Sequence, residues 1–65
     1  MLVKRFGERA LEVKVKKRRK IKKILKQLGI DLKNYVILKN GEVVLEEEYV
    51  SNNDEIELIP VASGG

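Results

Sequence analysis

Cysteine, histidine and tryptophan are all absent from this sequence, and proline occurs once. Its only aromatic residues are Phe6, Tyr35 and Tyr49. Without Cys or His there are no disulfides, no thiol nucleophile and none of the usual zinc or haem ligands. The one side chain that titrates near neutral pH without help is missing as well. No apolar run approaches the roughly 18 residues of a membrane-spanning helix. No basic segment followed by an apolar run marks a signal peptide. The expectation is a cytoplasmic protein that is not an enzyme and does not engage a membrane. If it takes part in chemistry, the reactive group is not a side chain.

What is present fits one small domain. The chain has 65 residues, 43% hydrophobic and 37% charged. A chain of this length buries only about 60% of its unfolded surface, so the fold has to be economical. The charge is polarised. Residues 1–33 carry 13 Lys and Arg against three acids, whereas residues 34–65 carry one Lys against seven acids. Between Lys14 and Lys26, nine of 13 residues are basic and none is acidic. Such a run reads first as a solvated helix face. Its functional reading is a basic docking face at Lys17, Arg18, Arg19 and Lys20 that steers an anionic partner. Stacking aromatics and base-reading side chains are missing from the run, which weighs against direct nucleic-acid binding.

Residues 1–6 read as a short strand, with either Met1 and Val3 or Leu2 and Phe6 turned inward. Gly7-Glu8 reads as a turn. Residues 10–15 alternate, with Leu11, Val13 and Val15 on one side, as in a half-buried strand. Ile21, Ile24, Leu25 and Leu28 recur at helical spacing, predicting a helix over about residues 19–29 that stops at Gly29. Its start lacks a capping side chain and carries cations that oppose the helix dipole, so fraying is expected there. Residues 35–39 form the next strand, Asn40-Gly41 is a strong hairpin signal, and residues 42–45 return. Glu46 to Val50 read as a turn of helix or a bend. Three adjacent acids on a turn diverge, so Glu46, Glu47 and Glu48 read as solvated surface and not as a metal site. Residues 55–59 are the last strand, with Ile56 and Leu58 inward and Pro60 at its end. Phe6, Tyr35 and Tyr49 read as packing at the core edge.

A hairpin, one helix and further strands give an α+β fold. The layout is the β-grasp, ubiquitin-like arrangement, with a mixed four- to five-stranded sheet and one packed helix. The domain is expected to span residues 1–59, with 60–65 as a flexible tail ending in Gly64-Gly65. A terminal diglycine is either a frayed end or a carrier terminus. Two residues without Cβ atoms thread a narrow channel and bring the terminal carboxylate to a partner's active site. A carboxylate is a poor electrophile and has to be activated before sulfur or an amine attacks it.

Several stretches together resemble the ThiS/MoaD family of sulfur carriers, closest to its ThiS branch. They are Leu38-Lys-Asn-Gly-Glu-Val-Val44, Glu47-Glu48-Tyr49, Asp54-Glu-Ile-Glu-Leu-Ile-Pro-Val61 and Ser63-Gly64-Gly65. The opening hairpin and the helix ending at Leu28-Gly29 fit too. The basic run Lys17-Arg18-Arg19-Lys20 departs from the family's uncharged helix start.

The resemblance implies a carrier with no permanently bound cofactor. A ubiquitin-activating-type enzyme adenylates Gly65 using ATP and Mg²⁺, with Gly64 needed for threading, and a persulfide on a partner converts the terminus to a thiocarboxylate. The acceptor it implies is thiazole synthase. The alternatives are the large subunit of molybdopterin synthase, a tRNA thiolase, or lysines of other proteins. Ile59 and Val61 beside the tail root, with Ile37 expected on the same sheet face, form a candidate docking patch for the activating enzyme.

Overall fold

The computed structural model describes residues 1–61, and the expectations placed on residues 62–65, including Gly64 and Gly65, lie outside the described residues. The elements are β1 (Leu2–Arg5), β2 (Leu11–Glu12), β3 (Arg19–Lys20), α1 (Ile21–Gln27), a 3-10 turn (Leu32–Asn34), β4 (Tyr35–Lys39), β5 (Glu42–Val44), β6 (Tyr49–Val50) and β7 (Glu55–Pro60). Five strands form one mixed sheet in the order β2-β1-β7-β4-β5, and β3 pairs with β6 apart from it. The central pair β1 and β7 is parallel, while the other neighbours are antiparallel. This is the α+β, β-grasp arrangement that the element order predicts. No helix among the described residues is long and apolar enough to cross a membrane.

The core follows from the two periodicities. On β7, Ile56 and Leu58 point inward and are almost fully buried. Val3 lies opposite Ile56, and Ile37 lies opposite Leu58. From the helix come Ile21, Ile24 and Leu25, and Val15 and Val50 close the sides. Burying each of the large side chains contributes about 1.5–3 kcal/mol. Met1 and Val3 are the inward pair of the first strand, which decides its facing.

The helix is shorter than its apolar spacing suggests. Lys20 has extended backbone angles (φ −68°, ψ 140°), because Arg19 and Lys20 pair with Val50 and Tyr49. At the other end the stop is as predicted. Gly29 sits at φ +76°. Its N–H donates to Lys26 O (3.0 Å), and Ile30 N–H donates to Leu25 O (2.9 Å). These are the two bonds of a Schellman cap, which needs a left-handed residue between them. Leu28 itself is turned to solvent.

The helix start is held by a distant segment, which revises the expectation of fraying. Lys20 offers no capping side chain. Instead Ile21 N–H donates to Glu48 O (2.9 Å) and Lys22 N–H to Glu46 O (3.1 Å). The carboxylate of Glu47 pairs with Lys20 (3.1 Å) and Lys22 (2.7 Å). Two free N–H groups thus find carbonyl acceptors, and a negative charge stands at the positive end of the helix.

The second strand is also shorter than its alternation. Only Leu11 and Glu12 pair with β1, and Val13 N–H adds one more bond, to Met1 O (2.7 Å). β2 is the outer strand of the sheet, and Leu11 is left exposed there although Val13 and Val15 pack inward. The Asn40-Gly41 turn forms as read, with φ +52° and +86°. Two successive positive values define the primed turn whose twist suits a hairpin.

Candidate functional site

β7 is the central strand, and it delivers the chain to the tail. Pro60 lies opposite Tyr35, and Val61 N–H donates to Asn34 O (2.8 Å). The root of the tail is therefore fixed to the 3-10 turn and the start of β4. Asp31 begins that turn by accepting from Lys33 N–H (3.0 Å).

Alternation along β7 gives the sheet an outer face. Ile59 lies opposite Val36, and Glu57 lies between Lys4 and Leu38. Val43 pairs with Leu38 and is 71% exposed. Phe6, one residue past β1, donates its N–H to Leu58 O (3.2 Å) and is 70% exposed. Val61 is 49% exposed. An apolar strip of Phe6, Val36, Ile59 and Val61 thus adjoins the tail root.

Of the three residues expected in the docking patch, the fold places Ile59 and Val61 on this strip. Ile37 is not there. It pairs with Leu58 and is 5% exposed, so it belongs to the core on the opposite face. Its neighbour Val36 takes the outer position. Phe6 was expected at the core edge, and it stands out in solvent instead. A period-2 reading that set Met1 and Val3 inward would have found it. Tyr35 does pack against the core, and Tyr49 is exposed.

The basic run surrounds a separate surface. Lys14, Lys16, Lys17, Arg18, Arg19, Lys23 and Lys26 are exposed. Lys17 and Arg18 precede β3, which carries Arg19 and Lys20. The Arg18 guanidinium lies 5.3 Å from the centre of the Tyr49 ring. The acids Glu46 to Glu48 do not converge. Glu47 faces Lys20 and Lys22, and Glu48 pairs with Lys39 (3.2 Å). The bond from Lys22, then the bond from Lys20, and after them the charges of both hold the Glu47 carboxyl below its ordinary range, and Glu47 in turn raises Lys22.

A third polar cluster ties loops together. The Asp54 carboxylate accepts from Asn40 Nδ2 (3.0 Å) and from Ser51 N–H (2.7 Å), and these bonds lower its pKa. Nearby, Asn52 Oδ1 accepts from Val15 N–H (3.1 Å), while Asn52 O and Val13 O accept from the Met1 ammonium (2.7 and 2.8 Å). Every one of these groups has a structural partner, so the cluster is scaffold. Among the described residues no group of acids is placed to hold a metal ion.

The described residues thus offer no catalytic constellation, only a fixed tail root, an apolar strip and a basic surface. The model of the ThiS family matches this chain over residues 3–65.

Proposed function

Since the chain belongs to the ThiS family and is a non-catalytic sulfur carrier, we propose that its working group is the Gly65 carboxylate and that its sulfur goes into the thiazole of thiamine. The carboxylate attacks the α-phosphate of Mg²⁺-bound ATP on a ubiquitin-activating-type enzyme, and pyrophosphate leaves. The terminal sulfur of a partner's persulfide then displaces AMP and forms an acyl disulfide. A thiol attacks the partner's sulfur, leaving a disulfide there and a thiocarboxylate on Gly65. Thiazole synthase takes up that sulfur. Gly64 has no side chain and lets the terminus reach the adenylating centre.

The observation that carries this reading is that the family match runs through Gly65 itself. The absence of Cys agrees with it, because the sulfur rides on the backbone terminus. The strip of Phe6, Val36, Ile59 and Val61 supports it in turn. An apolar surface at the root of the tail lets the activating enzyme grip the body while the end enters its active site.

The test is intact-mass spectrometry after incubation with the cognate activating enzyme, ATP, Mg²⁺ and a persulfide donor. The expected product has one oxygen of Gly65 replaced by sulfur. Failure to form either adenylate or thiocarboxylate overturns the proposal. Transfer of labelled sulfur to thiazole synthase, and not to molybdopterin synthase or a tRNA thiolase, identifies the acceptor. Isopeptide-linked Gly-Gly remnants on other proteins would instead mark a protein modifier.

A further inference from the structure

The fold accounts for only part of the basic surface: Arg19 and Lys20 pair with β6, and Lys20 and Lys22 with Glu47. Cations crowded at a helix start oppose its dipole, and nine like charges in 13 residues repel one another. The neighbouring acids relieve only part of this. Glu47 pairs with Lys20 and Lys22, and Glu48 with Lys39. Lys14, Lys16, Lys17, Arg19 and Lys23 have no ion-pair partner among the described residues.

These cations are gathered around a hollow. One part, of about 400 Å³, is lined by Lys14, Lys16, Lys17 and Arg19 between the segment before β3 and the helix. A second part continues from it, sharing Arg19 and Gln27, and is lined by Arg18, Lys23 and Tyr49. Among the described residues, no acidic side chain lines either part.

The fold also supplies what the run lacks in sequence. Pairing of β3 with β6 sets Lys20 opposite Tyr49, and the Arg18 guanidinium lies over the exposed Tyr49 ring, 5.3 Å from its centre. The run lacks both stacking and base-reading side chains; Tyr49 provides an aromatic from 31 positions beyond Arg18, which suits binding without base readout. A planar cation and a ring together offer stacking surface to an unpaired base. A carboxylate on an acidic protein would pair with the Arg18 guanidinium, but only a base would also use the face of a ring.

We propose that this groove binds a single-stranded nucleic acid, with Lys14, Lys16, Lys17, Arg19 and Lys23 on the phosphates and the Arg18–Tyr49 pair beneath a base. The surface is independent of the terminus, so the proposal does not rest on the carrier chemistry.

The test is fluorescence anisotropy of the full chain with labelled single-stranded RNA and DNA oligomers, over a series of salt concentrations. The expected result is binding whose affinity falls steeply with salt, at about 0.7 log units per log unit of salt for each phosphate contacted. Either oligomer binding in this way supports the proposal, and their ratio tells RNA from DNA. Replacing Lys14, Lys16, Lys17 and Lys23 together with Gln should flatten the slope by about 3 and weaken binding more than about tenfold at low salt.

Tyr49→Leu should weaken binding by about five- to a hundredfold and leave the salt slope unchanged. Removing Gly64 and Gly65 should leave binding intact while abolishing thiocarboxylate formation, so the two readings fail separately. The proposal is overturned by no binding of either oligomer at low salt, by a Gln variant that binds like the unaltered chain, or by oligoglutamate competing as well as RNA. The last result would assign the groove to an acidic protein.

Discussion

Asn52 is the perturbation with the clearest structural magnitude. Its Oδ1 accepts from Val15 N–H (3.1 Å), and Val15 is a buried core residue between two lysines of the basic groove. Replacing Asn52 with Ala removes that acceptor. Asn52 O is backbone and keeps its bond to the Met1 ammonium (2.7 Å), so the main loss falls on the Val15 amide, with a longer bond from the Met1 ammonium to Oδ1 (3.4 Å) lost as well. The Val15 bond is only partly buried and Asn52 is exposed, so the cost is at the low end for an unpaired N–H, about 1 kcal/mol. A domain of this size holds only about 3–10 kcal/mol in total, so the loss is large. It corresponds to a fall in melting temperature of about 4–8 °C per kcal/mol. The assays are thermal unfolding and hydrogen exchange. Asn52→Ala should lower the melting temperature and speed exchange at Val15, and with it loosen the groove. Asn52→Asp keeps the acceptor and adds a negative charge beside the Met1 ammonium, so it should match or exceed the parent at neutral pH. A change of less than about 2 °C for Asn52→Ala, or an unchanged Val15 exchange rate, would refute the reasoning.

Phe6→Asp should leave stability within about 0.5 kcal/mol, because the ring is exposed, and raise the apparent KM for adenylation about tenfold. An unaltered KM would remove Phe6 from the docking strip. Ile37→Ala should act the other way, costing about 2–5 kcal/mol in denaturant titration, with no docking defect while the chain remains folded. Asp54 has a lowered pKa from its bonds to Asn40 and Ser51, so its contribution is present above its ordinary value of 3.8 and is lost as pH falls through the lower folded value. Asp54→Asn should flatten the acid limb of the stability–pH profile, and an unchanged limb would contradict the assignment. Gly64→Val should leave unfolding unchanged and suppress adenylation by at least about tenfold, read as ATP–pyrophosphate exchange.

How far the sequence could be read depends on the range of the interactions concerned. β4 was legible to the residue, because Tyr35 to Lys39 form a compact β run that abuts an Asn-Gly pair. Gly29 was legible as a stop, because a left-handed cap is a local device. What escaped was set by partners far along the chain. Arg19 and Lys20 have helical neighbours, yet they are extended because Tyr49 and Val50 pair with them. The helix start lacks a local cap, yet Glu46 and Glu48 lend it their carbonyls. Such contacts leave at most a faint trace in the sequence, here a basic run and an acidic run of matching place in the fold.

The case of Ile37 carries the general point. Within β7, alternation alone assigns Ile56 and Leu58 to one face and Ile59 to the other. Nothing within β4 says whether Ile37 shares a face with Leu58 or with Ile59. That choice is the register between the two strands, and a slip of one residue exchanges every face. The observed register places Ile37 on Leu58 and Val36 on Ile59. It is enforced by the helix, whose Ile24 and Leu25 need an apolar surface to cover. The docking strip beside the tail is therefore the residue of a packing decision made on the opposite side of the sheet.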